Sequence, residues 1–285
     1  MPASLEDRLE RILGVRPVRS APLTGGCIGE VRRIDLADGR RLVVKIGADA
    51  GARLSIEGAM LSYLAERTGL PVPAVHHASD DLLVIDFIAG ASRFDTNAQR
   101  HAAELLADLH AVESPRFGFD TDTLIGGLPQ PNPWTDSWIE FFGHSRLLHM
   151  ADEAVRAGRL DAGARGRIAR LVDRLDQLLE PPERPGLIHG DVWTTNVLAD
   201  GGRITAFLDP AIYYAHPEVE LAFITLFDTF GGDFFDRYQK IRGIQPGFFE
   251  HRRDLYNLYP LLVHVRLFGG GYVDAVRRIL DRQGV

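Results

Sequence analysis

The chain contains the sequence His189-Gly190-Asp191-Val192-Trp193-Thr194-Thr195-Asn196, which is followed by a short apolar run that ends in Asp209-Pro210. The spacing of its polar groups is typical of a phosphoryl-transfer site. The Asp191 carboxylate can orient and deprotonate a hydroxyl group, while Asn196 and Asp209 can hold Mg²⁺ beside nucleotide phosphates. The alternative is that Asp191 and Asn196 only cap turns, as Asp and Asn often do.

The residues around this motif predict where its acids lie. Leu187-Ile188 predicts a short strand, and residues 203–208 predict a second one. Asp200-Gly201-Gly202 predicts the hairpin turn that joins these two strands. Both acids would then follow strand ends and face one cleft on the same side of the hairpin.

Composition excludes several classes of protein. A formal net charge of −7 argues against a nucleic-acid partner. No apolar run reaches the length of a membrane span, and the N-terminus lacks the pattern of a signal peptide. A single cysteine excludes an internal disulfide framework. We therefore expect a cytoplasmic protein without membrane or nucleic-acid partners.

Hydrophobic periodicity divides the chain into two parts. Residues 1–90 predict a small antiparallel sheet with one long helix at 52–68, and residues 91–285 predict a larger, mainly helical part. The predicted helices of this second part cover 97–112, 135–157, 160–180, 217–229, 233–241, 248–268 and 271–283. The pattern indicates an α+β fold of two lobes, with a ligand cleft where the lobes meet.

Two features of the first part suggest phosphate binding. The glycine-rich segment Gly25-Gly26-Cys27-Ile28-Gly29 lies between predicted strands, so its backbone N–H groups can approach phosphates. Lys45 lies in the apolar third strand, where a buried ammonium needs a partner, and Glu57 in the next helix is the candidate. The alternative is that Lys45 is an ordinary edge-strand residue.

A third feature is the link between the two parts. Asp86-Phe87-Ile88 ends a predicted strand, and its backbone groups can pair with an adenine edge without any special side chain. A plain connector would have the same sequence, so both interpretations stay open.

In this order, the glycine-rich loop, strand lysine, helix glutamate, His-Gly-Asp-x-x-x-x-Asn and later aspartate resemble the protein-kinase-like superfamily, on its aminoglycoside and choline kinase branch. The closer resemblance is to the fructosamine (ketosamine) kinase family, and it runs from about residue 20 to 280. The most specific strings are Leu187-Ile188-His189-Gly190-Asp191-Val192-Trp193, Asp209-Pro210-Ala211-Ile212-Tyr213-Tyr214 and Phe268-Gly269-Gly270-Gly271-Tyr272.

This resemblance implies transfer of the ATP γ-phosphate to the 3-hydroxyl of a fructosamine or ribulosamine. It makes Asp191 the catalytic base, Asn196 and Asp209 the Mg²⁺ ligands, and Lys45 with Glu57 the phosphate-positioning ion pair. Residues 86–88 become the adenine hinge. Two positions depart from the family pattern: Thr195 replaces a glycine, and Glu220 stands where the wider superfamily has aspartate. A positive φ at Thr195 would be strained.

Seven residues near the motif are candidate acceptor contacts. Their aromatic rings can stack on a sugar, and their polar groups can bond its hydroxyls or the amine. They are Trp193, Tyr213, Tyr214, His216, Glu218, His264 and Phe268. Each alone is more typical of packing than of substrate contact, and the acceptor hypothesis rests on the group.

Two other functions remain open from the sequence. A kinase for another hydroxylated amine, such as an aminoglycoside or choline, would share the motif. A catalytically inactive nucleotide-binding module would be expected to lose Lys45, Asp191, Asn196 or Asp209, and all four are present. We expect a monomer or weak dimer that binds a free or protein-bound ketosamine, and oxidation of Cys27 can link two chains.

Overall fold

The computed structural model of the protein describes residues 4–23, 29–47 and 53–285. Within these ranges, none of the helices combines the length and apolar character that a membrane crossing requires. The predicted α+β fold is confirmed: a small antiparallel sheet comes first, and a mostly helical part follows. The division at residue 90 stays a prediction.

The first part is a five-stranded antiparallel sheet with a helix on each face. Its elements are α1 (Leu5–Leu13), β1 (Pro17–Pro22), β2 (Glu30–Leu36), β3 (Arg41–Ile46), α2 (Leu54–Arg67), β4 (Val75–Ser79) and β5 (Leu82–Asp86). The strand order β1-β2-β3-β5-β4 places β3 at the centre, so Lys45 is not an edge residue.

Alternation along the central strands explains this layering. Val44 and Val84 are buried on the face that packs against Leu9 of α1. Leu83 and Ile85 point to the other face and pack with residues of α2. Because successive side chains on a strand point to opposite faces, these apolar strands must be covered on both sides.

The second part is built mainly from helices around the largest apolar core. Its helices are α3 (Thr96–His110), α4 (Trp138–Glu140), α5 (His149–Arg156), α6 (Ala162–Val172), α7 (Leu175–Leu178), α8 (Glu218–Leu226), α9 (Gly232–Ile241), α10 (Arg253–Phe268) and α11 (Gly271–Arg282), with π-helical turns at Phe141–Leu148 and Phe248–Arg252. Its short strands are β6 (Thr123–Ile125), β7 (Leu128–Gln130), β8 (Gly186–Ile188), β9 (Val197–Asp200), β10 (Arg203–Phe207) and β11 (Tyr213–Ala215).

One predicted strand pairing is wrong. The turn at Gly201-Gly202 joins β9 to β10, whereas β8 pairs with β11 in a separate two-stranded sheet. The reason is that a 3₁₀ turn at Thr194–Asn196 starts a new strand directly before the hairpin turn, so β9 takes the place next to β10. Asp191 nevertheless follows β8, and Asp209 follows β10.

Candidate active site

Asp191 and Asn196 form the centre of the site. The Asn196 Nδ2 group donates to the Asp191 carboxylate at 2.8 Å and to the Asp191 backbone carbonyl at 3.1 Å. Because both partners are acceptors, the nitrogen of the carboxamide must face Asp191. The Asn196 oxygen therefore points elsewhere and is available to a ligand.

A buried lysine links the sheet to this centre. Lys45 Nζ lies 2.7 Å from Glu57 Oε1 and also donates to the Asp209 carboxylate. The expected Lys45–Glu57 ion pair is thus present. Burial alone would lower the pKa of Lys45, but the charges of Asp209 and Glu57 outweigh it and raise that pKa, so the ammonium stays charged.

The backbone at Asp209 is strained. Its φ of 53° lies in the left-handed region, which aspartate seldom adopts outside turns. Such strain persists only where surrounding structure holds it, and it concentrates at functional sites. The Asp209 side chain is 39% exposed, so it can reach a ligand while it contacts Lys45.

Buried Glu220 holds the backbone that carries Asp191. Its Oε1 accepts from the Gly190 N–H at 2.6 Å and its Oε2 from the His189 N–H at 3.3 Å. The same carboxylate lies 2.9 Å from His110 Nε2, and His110 Nδ1 lies 2.7 Å from the Tyr238 hydroxyl. The longer side chain at position 220 therefore bridges α3 and the loop after β8.

The surroundings of Asp191 change its acidity. Burial first, and then the negative charge of Asp209, raises the pKa of Asp191 to about 8, although the bond from Asn196 opposes the shift. A positive charge nearby would lower this pKa again and keep the carboxylate ionised near neutrality.

A cavity of about 460 Å³ opens beside Asp191. Facing residues of α8 and α10 form its walls, and the turn between β6 and β7 forms part of its rim. The lining is Ile125, Gly126, Ile188, Gly190, Asp191, Trp193, Tyr213, Val219, Glu220, Phe223, Phe227, Tyr259, Pro260, Val263, His264, Leu267, Phe268 and Tyr272. Most of these residues are apolar or aromatic, in a volume suited to a small molecule.

Four of the seven predicted acceptor contacts line this cavity: Trp193, Tyr213, His264 and Phe268. Trp193 packs against Phe227 with ring centroids 5.7 Å apart. Burial lowers the pKa of His264, and its Nδ1 lies 2.7 Å from the Pro260 carbonyl. A nitrogen facing a carbonyl must donate, so Nε2 of the neutral ring remains an acceptor.

The other three predicted acceptor contacts lie outside this cavity, so its geometry does not support them as acceptor contacts. Tyr214 points to the opposite face of β11 from Tyr213, and its hydroxyl lies 2.8 Å from that of Tyr63. His216 accepts from the Glu218 N–H at 3.1 Å, and the Glu218 carboxylate makes two 2.7 Å bonds with Arg252. All three are buried packing residues.

Two of the three backbone N–H groups in the predicted adenine hinge already make hydrogen bonds within the first part of the chain. The N–H groups of Asp86 and Phe87 donate to the carbonyls of Ala74 and Arg41 at 3.0 and 3.1 Å. Among the described residues, the Ile88 N–H finds no acceptor. Of the three, Ile88 is therefore the position whose amide can bind a ligand.

Two further expectations concern loops. Gly25, Gly26, Cys27 and Ile28 lie outside the described residues, whereas Gly29 adopts a φ of 81°. The strain expected at Thr195 is not found, since the only non-glycine residues with positive φ in the described part of the chain are Asp209 and Asp228. Thr195 instead sits in the 3₁₀ turn.

The chain matches the family model described as fructosamine kinase over residues 5–283. It belongs to the fructosamine kinase family. Membership makes it a phosphotransferase that acts on a hydroxyl group.

Relatives of this fructosamine kinase family member carry matching names. A probable ketoamine kinase of Synechocystis sp. is 36% identical over 91% of this chain and 88% of the relative. A chloroplastic protein-ribulosamine 3-kinase of Oryza sativa subsp. indica is 32% identical over 97% of this chain and 80% of the relative.

Solved structures share the fold of this family member. A candidate fructosamine-3-kinase from Thermobifida fusca has a TM-score of 0.86 and 31% identity, covering 98% of this chain and 99% of the other. A thermostable mutant of an aminoglycoside phosphotransferase, solved with ADP and hygromycin B, has a TM-score of 0.67 over 98% of this chain and 96% of the other. Its 20% identity shows the shared fold alone.

Sequence reasoning missed most of the cavity wall and the support of the Asp191 loop. On α10 of this family member, the cavity wall consists of Tyr259, Val263 and Leu267. These residues are four positions apart, a spacing that is equally typical of ordinary core packing. His110 ends α3 with no motif around it. Only the apolar run Leu221-Ala222-Phe223-Ile224 within α8 hinted at a helix covered on several sides.

Proposed function

We propose that this protein transfers the γ-phosphate of ATP to the 3-hydroxyl of a fructosamine or ribulosamine. The observation that carries the proposal is the position of Asp191. Its carboxylate accepts a hydrogen bond from Asn196, and Asp191 also lines the neighbouring cavity. In this proposal Asp191 lies between the nucleotide cleft and the acceptor cavity.

In this proposal Asp191 is the catalytic base. Its carboxylate accepts the proton of the acceptor hydroxyl as that oxygen attacks the γ-phosphorus. Asn196 holds one carboxylate oxygen in place, and Glu220 fixes the preceding amide groups. Acceptor hydroxyl and base are oriented before the transfer, which is the main contribution a protein makes to this reaction.

The residues present fit Mg²⁺. The free oxygen of Asn196 and the Asp209 carboxylate form an all-oxygen donor set, and Mg²⁺ is usually held by one or two such protein ligands together with phosphates and waters. When bound, Mg²⁺ supplies positive charge that neutralises the phosphates and lowers the pKa of Asp191. The described residues contain no cluster of three or more His, Cys, Asp or Glu side chains that could replace this site.

The sheet side of the cleft supplies the nucleotide contacts in this proposal. Lys45, oriented by Glu57, turns its ammonium to the phosphates of ATP. The Ile88 amide bonds to the adenine edge, and the assignment of the glycine-rich residues 25–29 to phosphate binding stays a prediction. The lobe boundary at residue 90 belongs to the same proposal.

The cavity supplies the acceptor contacts. Trp193 offers a ring face for the sugar, and His264 offers an acceptor nitrogen for a hydroxyl. A polycationic aminoglycoside fits this site less well. Among the described residues that line the cavity, Asp191 and Glu220 are the only acids, and Glu220 is already engaged by His110.

The test is ADP release with a panel of acceptors: a fructosamine, a ribulosamine, choline and an aminoglycoside. We expect turnover with one or both ketosamines and product phosphorylated at the 3-hydroxyl, identified by ³¹P NMR. Turnover of choline or the aminoglycoside without ketosamine turnover would overturn the proposal.

The remaining expectations concern assembly and location. A monomer or weak dimer, a cytoplasmic location and a redox-linked dimer through Cys27 stay predictions. Light scattering of the protein before and after treatment with peroxide, with Cys27→Ser as control, tests the assembly.

A further inference from the structure

We propose that the ketosamine acceptor carries an uncharged, apolar substituent on its amine nitrogen, and that this substituent binds between α8 and α10. The inference rests on the proposed function and specifies the substrate class of the same site. The shape and chemistry of the cavity carry it.

The wall that α8 and α10 share is continuous and apolar. Val219 and Phe223 lie one turn apart on α8, and Val263 and Leu267 lie one turn apart on α10. Residues four apart share a helix face, so each helix presents a stripe to the cavity. An alkyl or aryl group that covers such a wall stabilises the complex by burying apolar surface, whereas a polyol stabilises it little.

The sugar must lie at the other end of the cavity. Its reacting hydroxyl has to come within hydrogen-bond reach of Asp191, because the carboxylate accepts the proton. The apolar wall is therefore left for the other half of a ketosamine, which is the amine substituent. The ammonium between the two halves can rest against aromatic faces such as those of Trp193 and Phe227.

The ionisable residues that line the cavity offer no partner to a charged substituent. Among the described lining residues, the ionisable groups besides tyrosines are Asp191, Glu220 and His264. Asp191 serves the transfer, the Glu220 carboxylate is bound by His110 and backbone amides, and His264 is neutral. A carboxylate or second ammonium on the substituent would be desolvated without a partner, which is strongly unfavourable.

The rim extends the apolar surface outwards. Phe268 is 51% exposed, an unusual state for a large aromatic side chain, and it belongs to the lining. Its ring packs 5.7 Å from His264 and 6.2 Å from Tyr272, centroid to centroid. A substituent that leaves the cavity would pass over this ring.

The experiment is a series of ketosamines with one sugar and different amines: methyl, propyl, hexyl and 5-carboxypentyl. We expect kcat/KM to rise about two- to fourfold per methylene from methyl to hexyl. The 5-carboxypentyl compound, which ends in a charge, should fall at least about tenfold below hexyl.

Phe268→Ala tests the location of the substituent. The ratio of kcat/KM for hexyl to that for methyl should fall at least about threefold. Phe249→Ala is the matched control, because Phe249 is also half-exposed (41%) but lies outside the cavity lining, and it should leave the ratio unchanged.

Equal kcat/KM across the series, or a preference for the 5-carboxypentyl compound, would overturn the inference while leaving the proposed function intact. No turnover of any member of the series would overturn the proposed function itself, and this inference with it.

Discussion

Gly190, between His189 and Asp191, is a position where the surrounding backbone leaves no room for a side chain. Its φ is 84°, and a Cβ atom there would lie 2.2 Å from the Ala211 carbonyl oxygen. We expect Gly190→Ala to lower the free energy of unfolding by at least about 3 kcal/mol, from left-handed strain plus overlap. Urea denaturation measures this change.

Gly201→Ala is the matched control for that prediction. Gly201 also has a positive φ, 55°, but a Cβ atom at this position would meet nothing within 4 Å. The variant should lose only the left-handed penalty of about 1–2 kcal/mol. Equal losses for the two variants would show that the contact with Ala211 is not the constraint.

Thr195 illustrates a substitution that the local backbone accepts. Because its φ is not positive, a glycine at this position gains nothing in the folded state and adds freedom to the unfolded chain. We expect Thr195→Gly to lower the free energy of unfolding by about 0.5–1 kcal/mol. A more stable Thr195→Gly variant would mean that the loop is strained after all.

For single residues, the sequence predicted the placement of the motif residues better than that of the residues around the motif. The spacing alone predicted that Asp191, Asn196 and Asp209 lie close together, since each follows a strand end or a short turn. The acceptor residues were predicted less well. Tyr213 faces the cavity and Tyr214 does not, and consecutive residues of one short strand look alike until the strand's partner is known.

Among the elements, α8 positions the loop after β8 through Glu220. Glu220→Asp shortens the carboxylate by one methylene, so it cannot reach both His110 and the Gly190 amide. We expect kcat to fall about 10- to 100-fold, because a displacement of about 1 Å at the base is enough for such a loss. Steady-state kinetics with the ketosamine substrate measure it.

Glu218→Asp provides the matched control on the same helix. Glu218 is equally buried and binds Arg252, which does not contact the loop of Asp191. Both variants should lose stability, and only Glu220→Asp should lose kcat. Similar kcat losses in both variants would indicate general damage to α8 instead of a positioning role for Glu220.

Strand pairing was the element-level feature that sequence reasoning could not supply. β8 and β11 are three residues long and are separated by the whole β9–β10 hairpin. Such short strands carry too few residues for a register pattern, so their pairing depends on packing from distant elements. The β9–β10 hairpin itself was visible only through its Gly201-Gly202 turn.

For the whole molecule, buried neutral histidines predict acid sensitivity. Burial, aided by the charge of Arg252, lowers the pKa of His216 to about 3, well below the value of about 6.5 for an unfolded chain. Between these two pH values the unfolded state binds a proton that the folded state does not. His216 therefore contributes stability above pH 6.5 that is lost as the pH falls towards 3.

The corresponding test is denaturation at several pH values. We expect His216→Asn, which keeps an acceptor for the Glu218 amide, to reduce the slope of unfolding free energy against pH by up to about 1.4 kcal/mol per unit in this window. His144→Asn is the control, because His144 is exposed. An unchanged slope in His216→Asn would mean that another group governs acid unfolding.

The overall architecture followed from the sequence because the apolar, β-branched run at residues 41–46 and the helical periodicity at residues 97–112 are strong signals. The cavity did not, because Val219 and Val263 meet only after α8 and α10 pack. The fully buried Arg146, whose guanidinium lies 3.8 Å from the Tyr213 ring centroid, carried no signal either. Its partners come from three separate segments.

The role of Asp191 as catalytic base is tested by comparing the wild-type protein with Asp191→Asn in ATP-dependent phosphorylation of one ketosamine. The carboxamide keeps the shape of the side chain but cannot accept the proton. We expect kcat to fall about 10²–10⁴-fold, with nucleotide binding and melting temperature retained. Ketosamine phosphorylation by Asp191→Asn at the wild-type rate would contradict this role.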